Sequence, residues 1–388
     1  MRYNPHRGEN MKIKRLMALI MATVLTASLF AACGETQTAS GFETAAEASK
    51  NMKIGISIGN TLDSTGPSLS SSDSVAAFET AWQNPAIAPL VIQHIKEEGF
   101  GAVRIPVTWN KHFDSEGNID EEWMARVEEV VNYVLDNDMY CIINMHHDTG
   151  ESYAWIRADK KNYENNSEKV RAIWTNIAER FKDYDEKLLF EGFNEMLDLS
   201  NEWSNPSDDE LEAMNDYNQL FVDAVRATGG NNAERNLIVN TYAAATTETV
   251  LNGFEMPTDT VEGHLMAEIH CYEPWGFTST TATWTTMTDQ FDESGMAEVD
   301  AAIDRVVKRF VDNGITVIWG EFGCEIKQND EERAEYVSYL VSHCKEYGIT
   351  CFYWDNGTNM QTMGRYFADS IHKSVADAMV AAANGEDQ

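Results

Sequence analysis

Two glutamates lie where packing alone does not explain a carboxylate. Glu195 ends the segment Phe193-Asn194-Glu195 just after the apolar run 188–190, and Glu321 follows the apolar run 315–318. Both runs predict buried strands, and a carboxylate at the end of a buried strand is costly unless it is paired or used in chemistry. Two such groups on different strands match the acid/base and the nucleophile that together cleave a glycosidic bond.

The elements that would position these groups alternate between short strands and helices. Eight apolar or β-branched runs predict strands at residues 54–58, 102–105, 140–145, 188–190, 237–240, 267–271, 315–319 and 350–354. The intervening and final segments predict helices at 89–98, 121–136, 168–184, 209–227, 300–312, 331–347 and 370–383. Strands that alternate with helices pair in parallel, and eight of them close into a (β/α)8 TIM barrel. An open doubly wound α/β sheet is the alternative, but no glycine-rich phosphate loop follows the first strand.

Polar or aromatic side chains lie within or directly after the carboxyl end of each of the eight predicted strands. In a (β/α)8 barrel the carboxyl ends of the strands meet at one mouth, where the chemistry takes place. A single arginine or histidine at a strand end is more often a hydrogen-bonded structural group. The complete set is harder to explain structurally and comprises Asn60, Arg104, His146, His147, Asp148, Asn194, Glu195, Tyr242, His270, Tyr272, Glu321 and Trp354.

Six segments of the chain resemble glycoside hydrolase family 5, especially its bacterial endoglucanases that also act on xylan and xyloglucan. The segments are Gly59-Asn60-Thr61-Leu62-Asp63, Val103-Arg104-Ile105-Pro106-Val107-Thr108-Trp109, Asn144-Met145-His146-His147-Asp148, Glu191-Gly192-Phe193-Asn194-Glu195, Gly320-Glu321-Phe322-Gly323 and Trp354-Asp355-Asn356-Gly357. The likeness runs from about residue 45 to the carboxyl terminus. It implies one (β/α)8 catalytic domain over residues 45–388, no cofactor, no metal and retention of anomeric configuration.

The resemblance implies a role for each matching position. Glu195 is expected to be the acid/base and Glu321 the nucleophile of a retaining endo-β-1,4-glucanase acting on β-glucan chains. The catalytic shell is expected to contain Arg104, which keeps the nucleophile ionised, with His146, Asn194, His270 and Tyr272. The sugar-binding residues are expected to be Asn60, His147 and Trp354.

Other functions share parts of this pattern. A xyloglucanase, a xylanase or a mannanase would have the same catalytic shell, with its specificity in the loops after the strands. A metal-dependent barrel hydrolase is suggested by His146-His147-Asp148 and His270, although no His-x-His motif closes the first strand. A glycan-binding lipoprotein that keeps the fold without catalysis is the third hypothesis, and the intact glutamate pair argues against it.

Composition narrows the partners. The chain has 63 acidic residues against 29 Lys and Arg, a formal charge of −34, which makes nucleic acid an improbable ligand and leaves neutral polymers unaffected. The five cysteines after residue 33 do not indicate disulfides; Cys141, Cys271 and Cys351 lie in or beside apolar runs, where buried free thiols behave as small apolar residues. Five tryptophans are candidates for an extended cleft, namely Trp109, Trp155, Trp203, Trp275 and Trp284. Trp82, Trp123 and Trp174 are predicted to serve packing.

The amino-terminal segment has the pattern of an export signal. Lys12, Lys14 and Arg15 precede an apolar stretch at 16–30 that is short for a membrane span, and Ala31-Ala32-Cys33 resembles a bacterial lipobox. The prediction is a lipoprotein signal peptide over residues 1–33, lipid attachment at Cys33 and a polar tether at 34–44. The protein would then be exported, either anchored at the outer face of a bacterial membrane or secreted. Met1 and Met11 are both possible starts.

Overall fold

Parallel strands close into a barrel in the computed structural model, which describes residues 41–150 and 153–386. The barrel strands are β1 Ile54–Ile58, β2 Ala102–Ile105, β3 Tyr140–Asn144, β4 Leu188–Glu191, β5 Leu237–Asn240, β6 Leu265–His270, β7 Val317–Phe322 and β8 Thr350–Asp355. Each strand pairs in parallel with its neighbours in the chain, and β8 pairs with β1. The predicted (β/α)8 barrel is therefore confirmed. A hairpin of β9 Met363–Gly364 and β10 Asp369–Ser370 follows β8.

Helices surround the barrel and shape its loops. In the described part of the chain they are α1 Ala45–Met52, α2 Val75–Glu79, α3 Pro89–Glu98, α4 Glu121–Leu135, α5 Lys160–Arg180, α6 Asp208–Ala227, α7 Glu248–Gly253, α8 Trp275–Thr278, α9 Glu293–Arg309, α10 Asp330–Glu346 and α11 Lys373–Asn384. Short 3-10 turns occur at Gly230–Ala233, Tyr242–Ala244 and Val311–Asn313. The described helices are not long and apolar enough to cross a bilayer.

Two predicted helices begin earlier than expected. The chain forms α5 from Lys160, where the sequence predicted a start at 168, and α9 from Glu293, where it predicted 300. In each case an aspartate caps the first turn, since Asp159 accepts from the Asn162 amide and Asp292 from the amides of Ser294 and Gly295. A side-chain acceptor at this position satisfies amides that have no partner within the helix, so the helix starts there.

The barrel interior has an apolar lower layer that α1 closes at its amino-terminal end. Ala45, Ala48 and Met52 of α1 belong to one buried cluster with inward-facing strand residues. Those strand residues are Ala102, Tyr140, Ile142, Leu189, Ile238, Met266, Ile318 and Phe352. A second and larger apolar core lies between the strands and the helices. The polar layer described below lies above this apolar layer, toward the carboxyl ends of the strands.

The described cysteines are all free and buried, which agrees with the sequence for Cys141, Cys271 and Cys351 and adds two that it did not predict. They are Cys141, Cys271, Cys324, Cys344 and Cys351. Burial raises the pKa of the Cys271 thiol to about 12 and that of Cys141 further still, so both remain protonated and unreactive. Cys33, the predicted signal segment and both candidate start residues lie outside the described residues.

Candidate active site

A layer of polar side chains lies directly above the apolar floor of the barrel. Along a strand every second residue faces the interior. On five strands, the residue two positions after an inward-facing residue of the apolar layer is polar. These five residues are fully buried: Arg104, Asn144, Glu191, Asn240 and Glu268. The sequence identified only Arg104 among them as a site residue.

Arg104 connects this layer to the predicted nucleophile. Its guanidinium donates from Nε and Nη2 to the two carboxylate oxygens of Glu191, at 2.6 and 2.7 Å. The same group donates from Nη1 to Glu321 Oε1 at 2.7 Å and from Nη2 to Asn194 Oδ1 at 2.9 Å. Burial alone would lower the pKa of Arg104, but Glu191 and Glu321 raise it well above its usual value. A permanent positive charge therefore faces Glu321.

Both oxygens of Glu321 have a donor. Oε1 accepts from Arg104, and Oε2 accepts from the Tyr272 hydroxyl at 2.7 Å. Burial and the charge of Glu321 raise the pKa of Tyr272 well above its usual range, so the phenol stays protonated and donates. The pairing of β6 with β7 shifts register where His270 lies opposite Glu321. This irregularity lets Glu321 turn inward directly after Gly320.

Glu195 is held by His270. His270 Nδ1 lies 2.8 Å from Glu195 Oε1, 3.7 Å from Glu321 Oε2, and its Nε2 lies 3.6 Å from Glu268 Oε1. Burial would lower the pKa of His270, but the charge of Glu321, the hydrogen bond with Glu195 and the nearby Glu268 carboxylate raise it to about 10. One oxygen of Glu195, one of Glu321 and a ring nitrogen of His270 all lie within 4.8 Å of one another.

Glu191 and Glu268 are site residues that the sequence analysis missed. Burial raises the pKa of Glu191 to about 7, with Arg104 acting against this and Glu268 adding to it. Glu268 Oε2 accepts from Asn240 at 2.6 Å, and its Oε1 lies 3.7 Å from Arg104 Nε. Strand alternation was the available signal, because each glutamate follows an inward apolar residue by two positions. For the predicted strands at 188–190 and 267–271, the sequence analysis considered the residues near the carboxyl ends, and it did not consider Glu191 and Glu268 as site residues.

The predicted sugar-binding residues divide between the cavity and its surroundings. Trp354 and the buried His146 stack with ring centroids 5.5 Å apart, and both line the main cavity with His147. Burial and the nearby charges of His147, Arg104 and His270 hold the pKa of His146 well below its usual range, so the ring is neutral. Asn60 follows β1 but is not among the residues lining this cavity.

Two connected cavities open above the glutamates. The larger has a volume of about 820 Å³ and is lined by both glutamates together with Trp203, Trp275 and Trp284. The smaller, about 400 Å³, shares His147, Asn194, Glu195 and Trp203 with it and adds Thr65, Trp82, Gly150 and Tyr153. The prediction that Trp82 serves only packing was therefore wrong.

Two other candidate tryptophans lie away from the cavities. Trp109 is buried and donates from Nε1 to the Asn144 carbonyl, so it supports the polar layer from outside. Trp155 donates to the Asp148 carboxylate at 2.6 Å. Tyr242, predicted at a strand end, is also buried, and its hydroxyl donates to the Glu202 carbonyl at 2.7 Å. These residues position loops instead of facing a ligand.

The loop after β6, which carries Trp284, is held by residues that follow β7. Lys327 Nζ donates to the carbonyls of Phe277 and Thr288 at 2.5 and 3.0 Å. Glu325 accepts from the Thr280 amide at 2.6 Å and donates its own backbone N–H to the Thr278 carbonyl. The loop thus has a fixed backbone despite its Thr-rich sequence.

Two clusters have the residue types and spacing to hold a metal ion. They are Asp63 with His146 and His147, and Glu195 with His270 and Glu321. In the first, Asp63 accepts from the amides of Asn60 and Thr61. In the second, each carboxylate already has a donor, as described above. Hydrogen bonds within the protein therefore account for both clusters.

Asp148, the third residue of the predicted histidine motif, instead accepts from the Trp109 amide at 2.7 Å.

Comparison with known proteins gives concordant results. The family model Cellulase (glycosyl hydrolase family 5) matches residues 62–360. Endoglucanase A of Clostridium longisporum is 33% identical over 389 residues, which is 95% of this chain and 72% of the relative. A mutant of a family 5 enzyme from Prevotella bryantii B14, solved with a xyloglucan tetradecasaccharide, is 40% identical, with a TM-score of 0.82 over 88% of this chain and 99% of its own.

A second solved structure extends the comparison. A GH5-4 broad specificity endoglucanase from Ruminococcus champanellensis, with bound cellotriose, is 39% identical. Its TM-score is 0.83, over 88% of this chain and 100% of that one. The matched family model alone spans more than three quarters of the chain. The chain belongs to glycoside hydrolase family 5, the cellulase family.

Proposed function

We propose that this glycoside hydrolase is a retaining endo-β-1,4-glucanase, with Glu195 as acid/base and Glu321 as nucleophile. One observation carries the assignment: carboxylate oxygens of Glu195 and Glu321 lie within 4.8 Å of each other. Retaining enzymes hold their two carboxyl groups about 5–5.5 Å apart, whereas inverting enzymes leave about 6.5–9.5 Å for a water. The endoglucanase relatives support the same substrate class.

In the first step Glu321 attacks the anomeric carbon and the glycosidic C–O bond breaks. Arg104 and Tyr272 each donate to one oxygen of Glu321, so the carboxylate enters the reaction ionised and oriented. The leaving oxygen receives its proton from Glu195. His270 Nδ1 lies 2.8 Å from Glu195 Oε1, so this contact orients the Glu195 carboxyl group in the site.

In the second step water hydrolyses the glycosyl-enzyme. Glu195, now a carboxylate, takes a proton from the water as its oxygen attacks the anomeric carbon, and Glu321 leaves with its negative charge restored. Asn194 accepts from Arg104 through Oδ1, which leaves its NH₂ group as the end that reaches a sugar hydroxyl in the cavity. Trp354 supplies an apolar face for the sugar ring.

The shape of the site favours internal cleavage of a chain. Glu195 lines both cavities, which have volumes of about 820 and about 400 Å³, and each cavity has aromatic side chains in its lining. Xyloglucan is the second candidate substrate, because the Prevotella bryantii relative binds a xyloglucan oligosaccharide. Xylan and mannan remain alternatives that the same catalytic residues would serve.

The test is reducing-sugar release from β-glucan, carboxymethylcellulose, xyloglucan, xylan and mannan. We expect activity on β-glucans, with Glu321→Gln lowering kcat by about 10⁴-fold or more because no nucleophile remains. Glu335→Gln is the matched control, since it makes the same chemical change at an exposed position on α10.

Proton NMR of the first product identifies the stereochemistry. Release of the β-anomer supports the retaining mechanism, and initial release of the α-anomer contradicts it. Binding of β-glucan with full insensitivity to Glu321→Gln would favour a non-catalytic glycan-binding protein. Activity that a chelator abolishes would favour the metal-dependent hydrolase.

We also propose that the protein is exported and carries a lipid at Cys33. Support comes from the sequence, in which a basic start, the apolar stretch 16–30 and Ala31-Ala32-Cys33 follow one another. The full chain is expected in the membrane fraction of a bacterial host, and Cys33→Ser in the soluble exported fraction. Equal distribution of both proteins would contradict lipid attachment.

A further inference from the structure

Two consecutive aromatic side chains are exposed at the tip of the hairpin after β8. Tyr366 is 72% exposed and Phe367 is 83% exposed, and both lie between β9 and β10. Isolated exposed apolar residues are ordinary on protein surfaces, but adjacent exposed rings form a patch that indicates an interaction site. Neither residue belongs to the catalytic site described above.

The hairpin that carries these rings is firmly anchored. Arg365, which is buried, donates to the carbonyls of Gly59 and Asp355 and to Asp355 Oδ1. The other oxygen of Asp355 accepts from the amides of Thr362 and Met363, at 2.7 and 2.9 Å. The root of the hairpin is thereby fixed to the ends of β1 and β8. Rings on a fixed support lose little conformational entropy when a ligand binds.

The anchor also places the hairpin beside the substrate cleft. Gly59, which Arg365 contacts, packs so closely under Trp354 that a Cβ there would lie 2.5 Å from the indole. The Tyr366 hydroxyl donates to the Gln83 carbonyl at 3.3 Å. Trp82, the residue before Gln83 in the chain, lines the smaller cavity. The hairpin is therefore anchored next to residues of the cleft on both sides, through Gly59 and through Gln83.

We propose that Tyr366 and Phe367 form a distal binding platform for a long, neutral β-1,4-linked glucan chain that leaves the cleft past Trp354. The proposal rests on the proposed function. Pyranose rings present apolar C–H faces that stack on aromatic rings. The formal charge of −34 disfavours an acidic glycan or an anionic lipid surface on the same patch. The platform lies outside the lining of both cavities, so a polymer that spans the cleft and the hairpin is the ligand expected to use it.

The test compares substrates of two lengths. For the double variant Tyr366→Ala/Phe367→Ala, kcat/KM on hydroxyethylcellulose is expected to fall about fivefold, while cellotetraose hydrolysis stays unchanged. Tyr366→Phe is expected to keep the wild-type value, because the ring face and not the hydroxyl binds sugar. Tyr347→Ala removes an aromatic that is 42% exposed after α10, at the opposite end of the barrel, and should change neither substrate.

A binding assay separates this proposal from the proposed function. Glu321→Gln protein, with and without the hairpin substitutions, is run on native gels containing hydroxyethylcellulose, and retardation that the substitutions reduce supports the platform even without turnover. Three results overturn it: unchanged polymer kinetics and retardation, an equal fall on polymer and cellotetraose, or vesicle binding to phosphatidylglycerol that the substitutions abolish.

Discussion

At the scale of single residues, the site depends on one arginine that faces three carboxylates. Arg104 contacts Glu191 and Glu321 directly, and Glu268 lies 3.7 Å away. Removing one partner of a buried ion pair leaves an uncompensated buried charge. The loss of folding free energy is then larger than the stabilisation that the intact pair provides. Burial is the main cause of the raised pKa of Glu191. The negative charge of Glu268 adds to it, and Arg104 acts in the opposite direction.

Substitution of Glu191 by glutamine is expected to remove a pH dependence of stability. The pKa of Glu191 is raised from 4.5 to about 7 in the folded state. Its stabilising contribution is therefore complete below about pH 4.5 and is lost as the pH rises through about 7. The free energy of unfolding of the wild type minus that of Glu191→Gln should fall by about 3 kcal/mol across this window. Urea unfolding at intervals from pH 4.5 to 8 measures the difference.

The exposed substitution Glu335→Gln serves as control for that series. Its difference from the wild type should stay flat over the same pH range, because the side chain is solvated. A flat difference for Glu191→Gln as well would contradict a buried, proton-binding role for Glu191. Loss of activity in Glu191→Gln with unchanged stability would instead indicate that its contact with Arg104 serves orientation alone.

At the scale of elements, the irregular β7 is the feature that brings the nucleophile inward. Gly320 faces the barrel interior, where the carboxylate of Glu268 occupies the space that a Cβ would take. Any side chain at this position would push Glu268 away from Asn240 and Arg104. Gly320 therefore leaves the space that the Glu268 carboxylate occupies, and it directly precedes the predicted nucleophile Glu321.

Gly320→Ala is expected to lower the free energy of unfolding by about 3 kcal/mol or more and to reduce kcat, through overpacking and disruption of the buried cluster. Chemical unfolding and β-glucan hydrolysis measure the two effects. Gly66→Ala is the matched control, since nothing lies within 4 Å of a Cβ at that position. Wild-type stability and kcat in Gly320→Ala would contradict the assigned close approach.

The sequence predicted the elements better than their irregularities. All eight barrel strands were identified from short apolar or β-branched runs, because a strand buried on both faces has apolar residues at consecutive positions. Helices α2, α7 and α8 were missed because five, six and four residues are too few to display a helical period, and the eight-residue α1 was missed as well. The register shift at Glu321 arises from contacts between β6, β7 and β8, which no local pattern records. The catalytic roles of Glu195 and Glu321 remain predictions until the variants are measured.

At the scale of the whole molecule, the surface charge is the dominant property. The chain carries a formal charge of −34, and its proposed substrate is a long polymer. A neutral glucan enters without an electrostatic barrier, whereas an anionic polymer is repelled at long range. Salt screens that repulsion, since the screening length shortens from about 30 Å at 0.01 M to about 8 Å at 0.15 M.

Activity on carboxymethylcellulose is therefore expected to depend on salt. Between about 10 and about 150 mM NaCl, kcat/KM on this anionic substrate should rise about threefold. Hydroxyethylcellulose, which is neutral, is the control and should give constant values. A parallel rise on both polymers would show that salt acts on the enzyme's fold or its site, and would contradict long-range repulsion as the cause.

The buried thiols give the fold an internal reporter. Cys141, Cys271, Cys324, Cys344 and Cys351 lie in or beside the barrel strands and the helix packed on them, all shielded from solvent. A maleimide or disulfide reagent meets them only when the surrounding segment opens. Labelling followed by peptide mass spectrometry would therefore time the opening of separate sectors of the barrel, from β3 to β8, in the unmodified protein.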